Sequence, residues 1–213
     1  MDEAAIAAYE AVVLAFLAER LAAMGSDAGG LANFYLRKLE TGRVLSRYDR
    51  ELLVLLAGEA SIVHAGIGIG QLSAALALQG SEVLGFEVDP RRHGAAEALR
   101  LRLALRERYT ICAARFAEGL APDFAAAGAT LLFTNVVASW SEPDYAATIA
   151  AMQRFGRTIL DLARFGEARP EPADRAMLAD RLRQAGFDLR PLGFRAQNTE
   201  FVEARPLHLA KDA

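Results

Sequence analysis

Between Ser61 and Asp89 the chain reads SIVHAGIGIGQLSAALALQGSEVLGFEVD, and three alternating glycines, Gly66, Gly68 and Gly70, follow directly on an apolar run. Glycine adopts positive φ without steric cost and lets another group come close to the backbone. The run before these glycines, Ser61 to His64, has the pattern of a buried strand. The stretch after them places Leu72, Ala75, Leu76 and Leu78 on or near one helical face. Gly80 falls where a helix C′ residue belongs, and a second strand, Val83 to Val88, ends on acidic residues. The predicted unit is strand, glycine turn, helix, strand. Its physical use is to lay a nucleotide-like ligand against bare backbone at a helix N-terminus. Glu87 stands 21 residues after Gly66, where a carboxylate accepts from ribose hydroxyls.

The spacing of the glycines separates two ligand classes. A dinucleotide fingerprint needs its third glycine three residues after the second. Counted from Gly66 that position is Gln71, and counted from Gly68 it is Ser73. The strict alternation G-I-G-I-G after an apolar strand, with Glu87 at the end of the next strand, resembles the class I S-adenosylmethionine-dependent methyltransferases. That family usually carries an acid two residues before the first glycine, where this chain has His64. The resemblance implies cofactor contacts from His64, Ala65, Gly66, Gly68, Gly70 and Gln71 in the turn, and from Glu87 and Val88 after the second strand. At the end of the third strand the family commonly holds the adenine amine with an acid or amide. This chain has Arg115 there, with Phe116 as the apolar neighbour of the ring.

Composition bounds the rest. The 213 residues are 53% apolar, ample for one core, and carry a net charge of −3, which argues against a dominant nucleic-acid footprint. The single cysteine, Cys112, forms no intramolecular disulfide and is expected as a buried core thiol. The three histidines, His64, His93 and His208, lack metal-ligand spacing, so no metal is expected. The N-terminus is apolar but begins with acids and is interrupted by Tyr9 and Glu10, unlike a signal peptide. No stretch reaches the roughly 18 apolar residues of a membrane span. A cytoplasmic, soluble protein is expected.

Along the chain, residues 3 to 24 predict a long helix with Ile6, Tyr9, Val13, Phe16 and Leu17 on an apolar face. Helices over 31 to 40 and from Ser46 or Asp49 to Leu56 follow. Residues 1–58 thus read as a helical N-terminal extension or cap, and residues 59–213 as the cofactor-binding domain. Asp89 and Pro90 form an N-cap and N1 pair for a helix running to about Arg108. Strands are expected at 109 to 114, 131 to 137 and 158 to 162, with a capping box at Ser141 to Asp144 between the last two. Asn135, at the carboxyl end of its strand, either meets the methionine end of the cofactor or the substrate, or ties down its own loop. Trp140 is a candidate wall of the substrate pocket. A helix over 173 to 185 ending in Ala-Gly-Phe, then two strands near 188 to 194 and 200 to 206, resembles the family's C-terminal antiparallel pair.

The expected fold is therefore α/β, a doubly wound, mostly parallel seven-stranded sheet with an α-helical N-terminal extension. The resemblance implies S-adenosyl-L-methionine as cofactor and methyl transfer to a small-molecule acceptor. The sequence distinguishes no catalytic base among Tyr48, His64 and Asn135. Two alternatives stand beside this reading: a methyltransferase-like binding protein without catalysis, and an NAD-type oxidoreductase, which the glycine spacing disfavours. The apolar faces of the N-terminal helices permit a homodimer.

Overall fold

The computed structural model describes residues 1–24, 29–134, 136, 140–166, 172–194 and 199–209. The chain opens with three helices, α1 (Glu3–Ala22), α2 (Gly29–Thr41) and α3 (Arg47–Leu55). Then come β1 (Ser61–Ala65), α4 (Gln71–Leu78), β2 (Glu82–Phe86), α5 (Pro90–Arg102), β3 (Tyr109–Cys112), the short α6 (Phe116–Gly119) and β4 (Thr130–Phe133). The last elements are α7 (Glu142–Met152), β5 (Arg157–Asp161), α8 (Pro172–Gln184), β6 (Phe187–Pro191) and β7 (Phe201–Pro206).

The strands form one seven-stranded sheet in the order β3-β2-β1-β4-β5-β7-β6. The first five pair in parallel, and β7 runs antiparallel to both β5 and β6. Chain order reverses between β1 and β4. At such a switch point the connections leave in opposite directions and open a crevice beyond the carboxyl ends of the strands. Apolar side chains fill both faces. One layer joins α1, α3, α4 and α5 to the sheet through residues such as Leu17, Leu52, Leu72 and Leu99. The other joins α7 and α8 through Phe116, Phe133, Met152 and Leu182.

Local chemistry sets the element ends. Ser46 and Asp49 make a reciprocal capping box at the start of α3, and Ser141 with Asp144 makes another at α7. Asp89 caps α5 by accepting from the N–H groups of Arg91 and Arg92, with Pro90 at N1. Gly80 (φ +111°) ends α4 in a Schellman arrangement, its N–H donating to the Ala77 carbonyl while Ser81 N–H reaches Leu76. The same arrangement corrects the expected length of α5. Ala104 takes φ +54°, Ala104 N–H donates to Leu101 and Leu105 N–H to Arg100, so the helix stops at Arg102 rather than near Arg108. Strands are also shorter than read: β2 stops at Phe86, β3 at Cys112 and β4 at Phe133. Leu78, read as on or near the apolar face of α4, is 43% exposed. Cys112 is half-buried at the carboxyl end of β3 rather than enclosed, and burial still pushes its thiol pKa up.

The three N-terminal helices are tied to the sheet by polar as well as apolar contacts. Glu10 of α1 is buried and its Oε1 accepts from the N–H groups of Val44 and Leu45, at 3.0 and 2.8 Å. Its Oε2 pairs with Arg50 of α3 at 2.7 Å. The Tyr9 hydroxyl donates to the Gln71 carbonyl at the start of α4. These contacts hold α2 and α3 beside the glycine turn. Among the described residues, no helix is long and apolar enough to cross a membrane.

Candidate cofactor and acceptor site

The glycine turn is built by its backbone. Gly66, Gly68 and Gly70 all take positive φ, at +73°, +60° and +78°. The N–H groups of Gly66 and Ile67 donate to the Phe86 carbonyl of β2, and Gly70 N–H returns to Ile67, so the loop folds tightly over the end of the sheet. Each glycine has its own reason. A Cβ at Gly66 would meet Val136 Cγ2 at 2.7 Å, and one at Gly70 would meet the Tyr109 hydroxyl at 2.6 Å. A Cβ at Gly68 would have nothing within 4 Å, so this residue leaves open space.

Two clefts flank the turn and share Gly66 as a wall. The first, about 640 Å3 including its mouth, lies beyond β2 and β3 and is lined by Glu87, Val88, Arg115, Phe116, Trp140 and Asp144 among others. Glu87 is buried, and both its oxygens accept backbone N–H groups, Oε2 from Gly68 at 2.8 Å and Oε1 from Asp89 at 2.9 Å. A carboxylate oxygen has two lone pairs, so each retains one for a ligand. Val88 is 60% exposed at the rim, an apolar side chain held out at a cleft mouth. Phe116 is buried, with its ring 5.3 to 5.9 Å from those of Phe86, Phe133 and Phe155. Arg115 pairs with Asp144 at 2.6 Å across the mouth. Trp140 lines this cleft and packs edge-on against Phe165.

The second cleft, about 900 Å3 including its mouth, lies between the turn and the N-terminal helices. Its walls include Gly66, Gly68 and Gln71 from the turn, Thr134 after β4, and Phe34, Arg37, Lys38 and Tyr48 from α2 and α3. Among the described residues, the buried Gln71 Oε1 atom has no hydrogen-bond partner. Buried acceptors are rarely left so, which marks it as a position for a donor from a ligand.

His64 borders the second cleft, but both its ring nitrogens are committed. Nδ1 lies 2.7 Å from the Ser73 hydroxyl and Nε2 lies 2.7 Å from the Thr134 hydroxyl. Burial pushes its pKa down to about 3, so the ring is neutral at physiological pH. His64 is therefore a strut between β1, α4 and the end of β4. With both nitrogens engaged it has none free for proton transfer, which removes it from the candidate bases, while it still lines the cleft beside Gly66 and Gly68. Tyr48 does reach the cleft, and burial raises its pKa. Asn135 lies outside the described residues. Sequence reading missed Arg37, Lys38, Arg92 and Thr134, which come from α2, α5 and the segment after β4 and share no local motif.

The structure thus gathers Ala65, Gly66, Gly68, Gly70, Gln71, Glu87, Val88, Arg115 and Phe116 about one turn at the switch point of the sheet. This sheet order, with its antiparallel β7, is the fold of the class I S-adenosylmethionine-dependent methyltransferases. No protein-family model matches the chain, and no curated protein matches it. Solved structures do. A TehB-like SAM-dependent methyltransferase from Corynebacterium glutamicum ATCC 13032 Kitasato is 20% identical, with 83% of this chain and 95% of that one covered and a TM-score of 0.59. Magnesium protoporphyrin IX methyltransferase (ChlM) from Synechocystis PCC 6803 with bound SAM is 20% identical over 75% of this chain and 80% of that one, TM-score 0.56. The mitomycin 7-O-methyltransferase MmcR is 20% identical over 84% of this chain and 58% of that one, TM-score 0.59. At these identities the likeness establishes the fold.

Proposed function

We propose that this chain is an S-adenosylmethionine-dependent methyltransferase acting on a small-molecule acceptor. The observation that carries the reading is the shared wall. One bare glycine turn separates a cleft with a buried carboxylate from a cleft with an unpartnered buried amide oxygen. A ligand with a ribose at one end and an ammonium at the other fits both at once. In this reading Glu87 accepts from the ribose hydroxyls, while Val88 and Phe116 give the adenine an apolar seat beside Arg115. Gly66 and Gly68 let the ligand pass close to the backbone. Gln71 accepts from the amino group of the methionine end.

The cofactor supplies a methyl group on a sulfonium sulfur, a carbon already activated toward a nucleophile. The protein's task is to align the acceptor with that carbon and to keep water out. Residues 1–58 serve as the cap, since α2 and α3 close the second cleft over the glycine turn. The fold shared with a magnesium protoporphyrin IX methyltransferase and a mitomycin 7-O-methyltransferase supports a small-molecule acceptor.

Calorimetric titration with S-adenosylmethionine, S-adenosylhomocysteine and NADH tests the cofactor. Binding of the two adenosyl ligands alone is expected. NADH binding alone, or no binding by any of the three, would overturn the reading.

A further inference from the structure

The second cleft is unevenly charged. Arg37 and Lys38 come from α2 and Arg92 from the first turn of α5, and all three line it. Among the described residues, Asp49 is the one acid lining it. That carboxylate is already used: it is buried, and its Oδ2 accepts from both the backbone N–H and the hydroxyl of Ser46, each at 2.7 Å. Arg37 makes no ion pair among the described residues, and the contact of Arg92 with Asp89 is long, at 3.8 Å. Lys38 is anchored rather than neutralised. Its Nζ donates to the Val44 carbonyl at 2.5 Å and stands 5.5 Å from the centre of the Phe34 ring. Three cations therefore line one cleft, and the acids nearest Lys38 are already engaged, Asp49 with Ser46 and the buried Glu10 with Arg50. Beside them Leu31, Phe34 and Tyr48 offer an apolar and aromatic wall.

We infer that the acceptor is a small, flat organic anion of the aromatic carboxylate kind, its charge held by Arg37, Lys38 and Arg92 and its ring laid against Phe34 and Tyr48. This rests on the methyltransferase reading and names the substrate class of the same site. Guanidinium groups suit the assignment because they bind carboxylates through paired, charge-assisted hydrogen bonds.

An independent observation agrees. The described residues of this cleft hold no free base. His64 has both nitrogens engaged, Asp49 is committed to Ser46, and burial holds the Tyr48 hydroxyl protonated well above the usual tyrosine range. An acceptor that arrives ionised needs none. A carboxylate oxygen forms the new bond to the methyl carbon as the carbon–sulfur bond breaks, the bonding pair leaves on sulfur, and the product is a methyl ester formed with no proton released.

The test uses the full chain saturated with S-adenosylhomocysteine, at low ionic strength because exposed cations are screened by salt. Ligand-observed NMR compares 4-hydroxybenzoate with its neutral isostere 4-hydroxybenzamide, on the wild type and on the double variant Arg37→Gln, Arg92→Gln. The benzoate is expected to bind about tenfold or more tightly than the benzamide. The double variant should lose most of that preference and keep its S-adenosylhomocysteine affinity by calorimetry within about twofold. Equal binding of the two probes, or binding of neither, would overturn the inference. So would a parallel loss of S-adenosylhomocysteine affinity in the double variant, which would assign the cations to the cofactor's own carboxylate. Failure of the wild type to bind S-adenosylhomocysteine would instead remove the methyltransferase reading, and this inference with it.

Discussion

The Nε2 atom of His64 lies 2.7 Å from the hydroxyl of Thr134, joining the end of β1 to the end of β4 across the switch point of the sheet. The other ring nitrogen holds Ser73 in the first turn of α4. One neutral imidazole thus fixes the spacing of three elements around the glycine turn. A hydroxyl can donate or accept, so both contacts are satisfied in either tautomer of the ring.

That arrangement makes stability depend on pH. The folded chain keeps His64 uncharged down to about pH 3, while in the unfolded chain it titrates near pH 6.5. Between these values the unfolded state binds more protons, so the contribution is full above about pH 6.5 and is lost as pH falls toward 3. From pH 7 to pH 5 the loss is about 2 kcal/mol. Urea unfolding of the wild type and of His64→Gln at both pH values checks this. The variant should be less stable at pH 7 and should lose about 2 kcal/mol less on acidification. Equal losses in the two proteins would mean that His64 is not the titrating group.

Glu87 has a structural role and a proposed role toward the ribose, and substitution can separate them. Its oxygens hold the N–H groups of Gly68 and Asp89, and their remaining lone pairs face the first cleft. Glu87→Gln keeps size and one acceptor but gives up the charge. It should fold, and S-adenosylhomocysteine affinity by calorimetry should fall about tenfold to a hundredfold, for a loss of roughly 1.5–3 kcal/mol in charge-assisted bonds. Glu87→Ala should also lower the unfolding free energy, by about 1–3 kcal/mol, since it leaves buried donors without partners. An unchanged dissociation constant in Glu87→Gln would remove the ribose from this position.

How far the sequence foretold this site follows from the range of each interaction. The glycine turn, the Asp89–Pro90 start of α5 and the Ser141 capping box are set by residues within a few positions of one another. Short-range chemistry of this kind is written in adjacent letters. Glu87 was legible because the length of one helix and one strand fixes its distance from Gly66. The role of His64 was not, since its partners Ser73 and Thr134 are 9 and 70 positions away. The end of α5 was missed because a Schellman turn with alanine at positive φ carries no glycine to announce it. The cationic cleft was missed for a similar reason: Arg37 and Arg92 meet only through the packing of α2 beside the turn. Which cleft Trp140 lines was not legible, because a loop residue's direction is set by what it packs against, here Phe165.

The two outer demands on the turn, close packing and open access, are met at different glycines, and alanine distinguishes them. At Gly66 an added methyl would take φ +73° and meet Val136 Cγ2 at 2.7 Å. Left-handed backbone costs roughly 1–2 kcal/mol for a residue with a Cβ, and overpacking adds roughly 1–3 kcal/mol. Gly66→Ala should therefore lower the unfolding free energy by about 2–5 kcal/mol, read by urea titration. At Gly68 the φ is +60° but nothing lies within 4 Å of the added methyl, so only the backbone cost of about 1–2 kcal/mol applies. Its methyl instead enters the space beside the second cleft, where the proposed cofactor passes close to the backbone. Gly68→Ala should stay folded and lose S-adenosylhomocysteine binding by at least about tenfold, a larger effect on affinity than on stability. The opposite pattern, a Gly68→Ala protein that binds normally, would show that the ligand path does not cross this face of the turn.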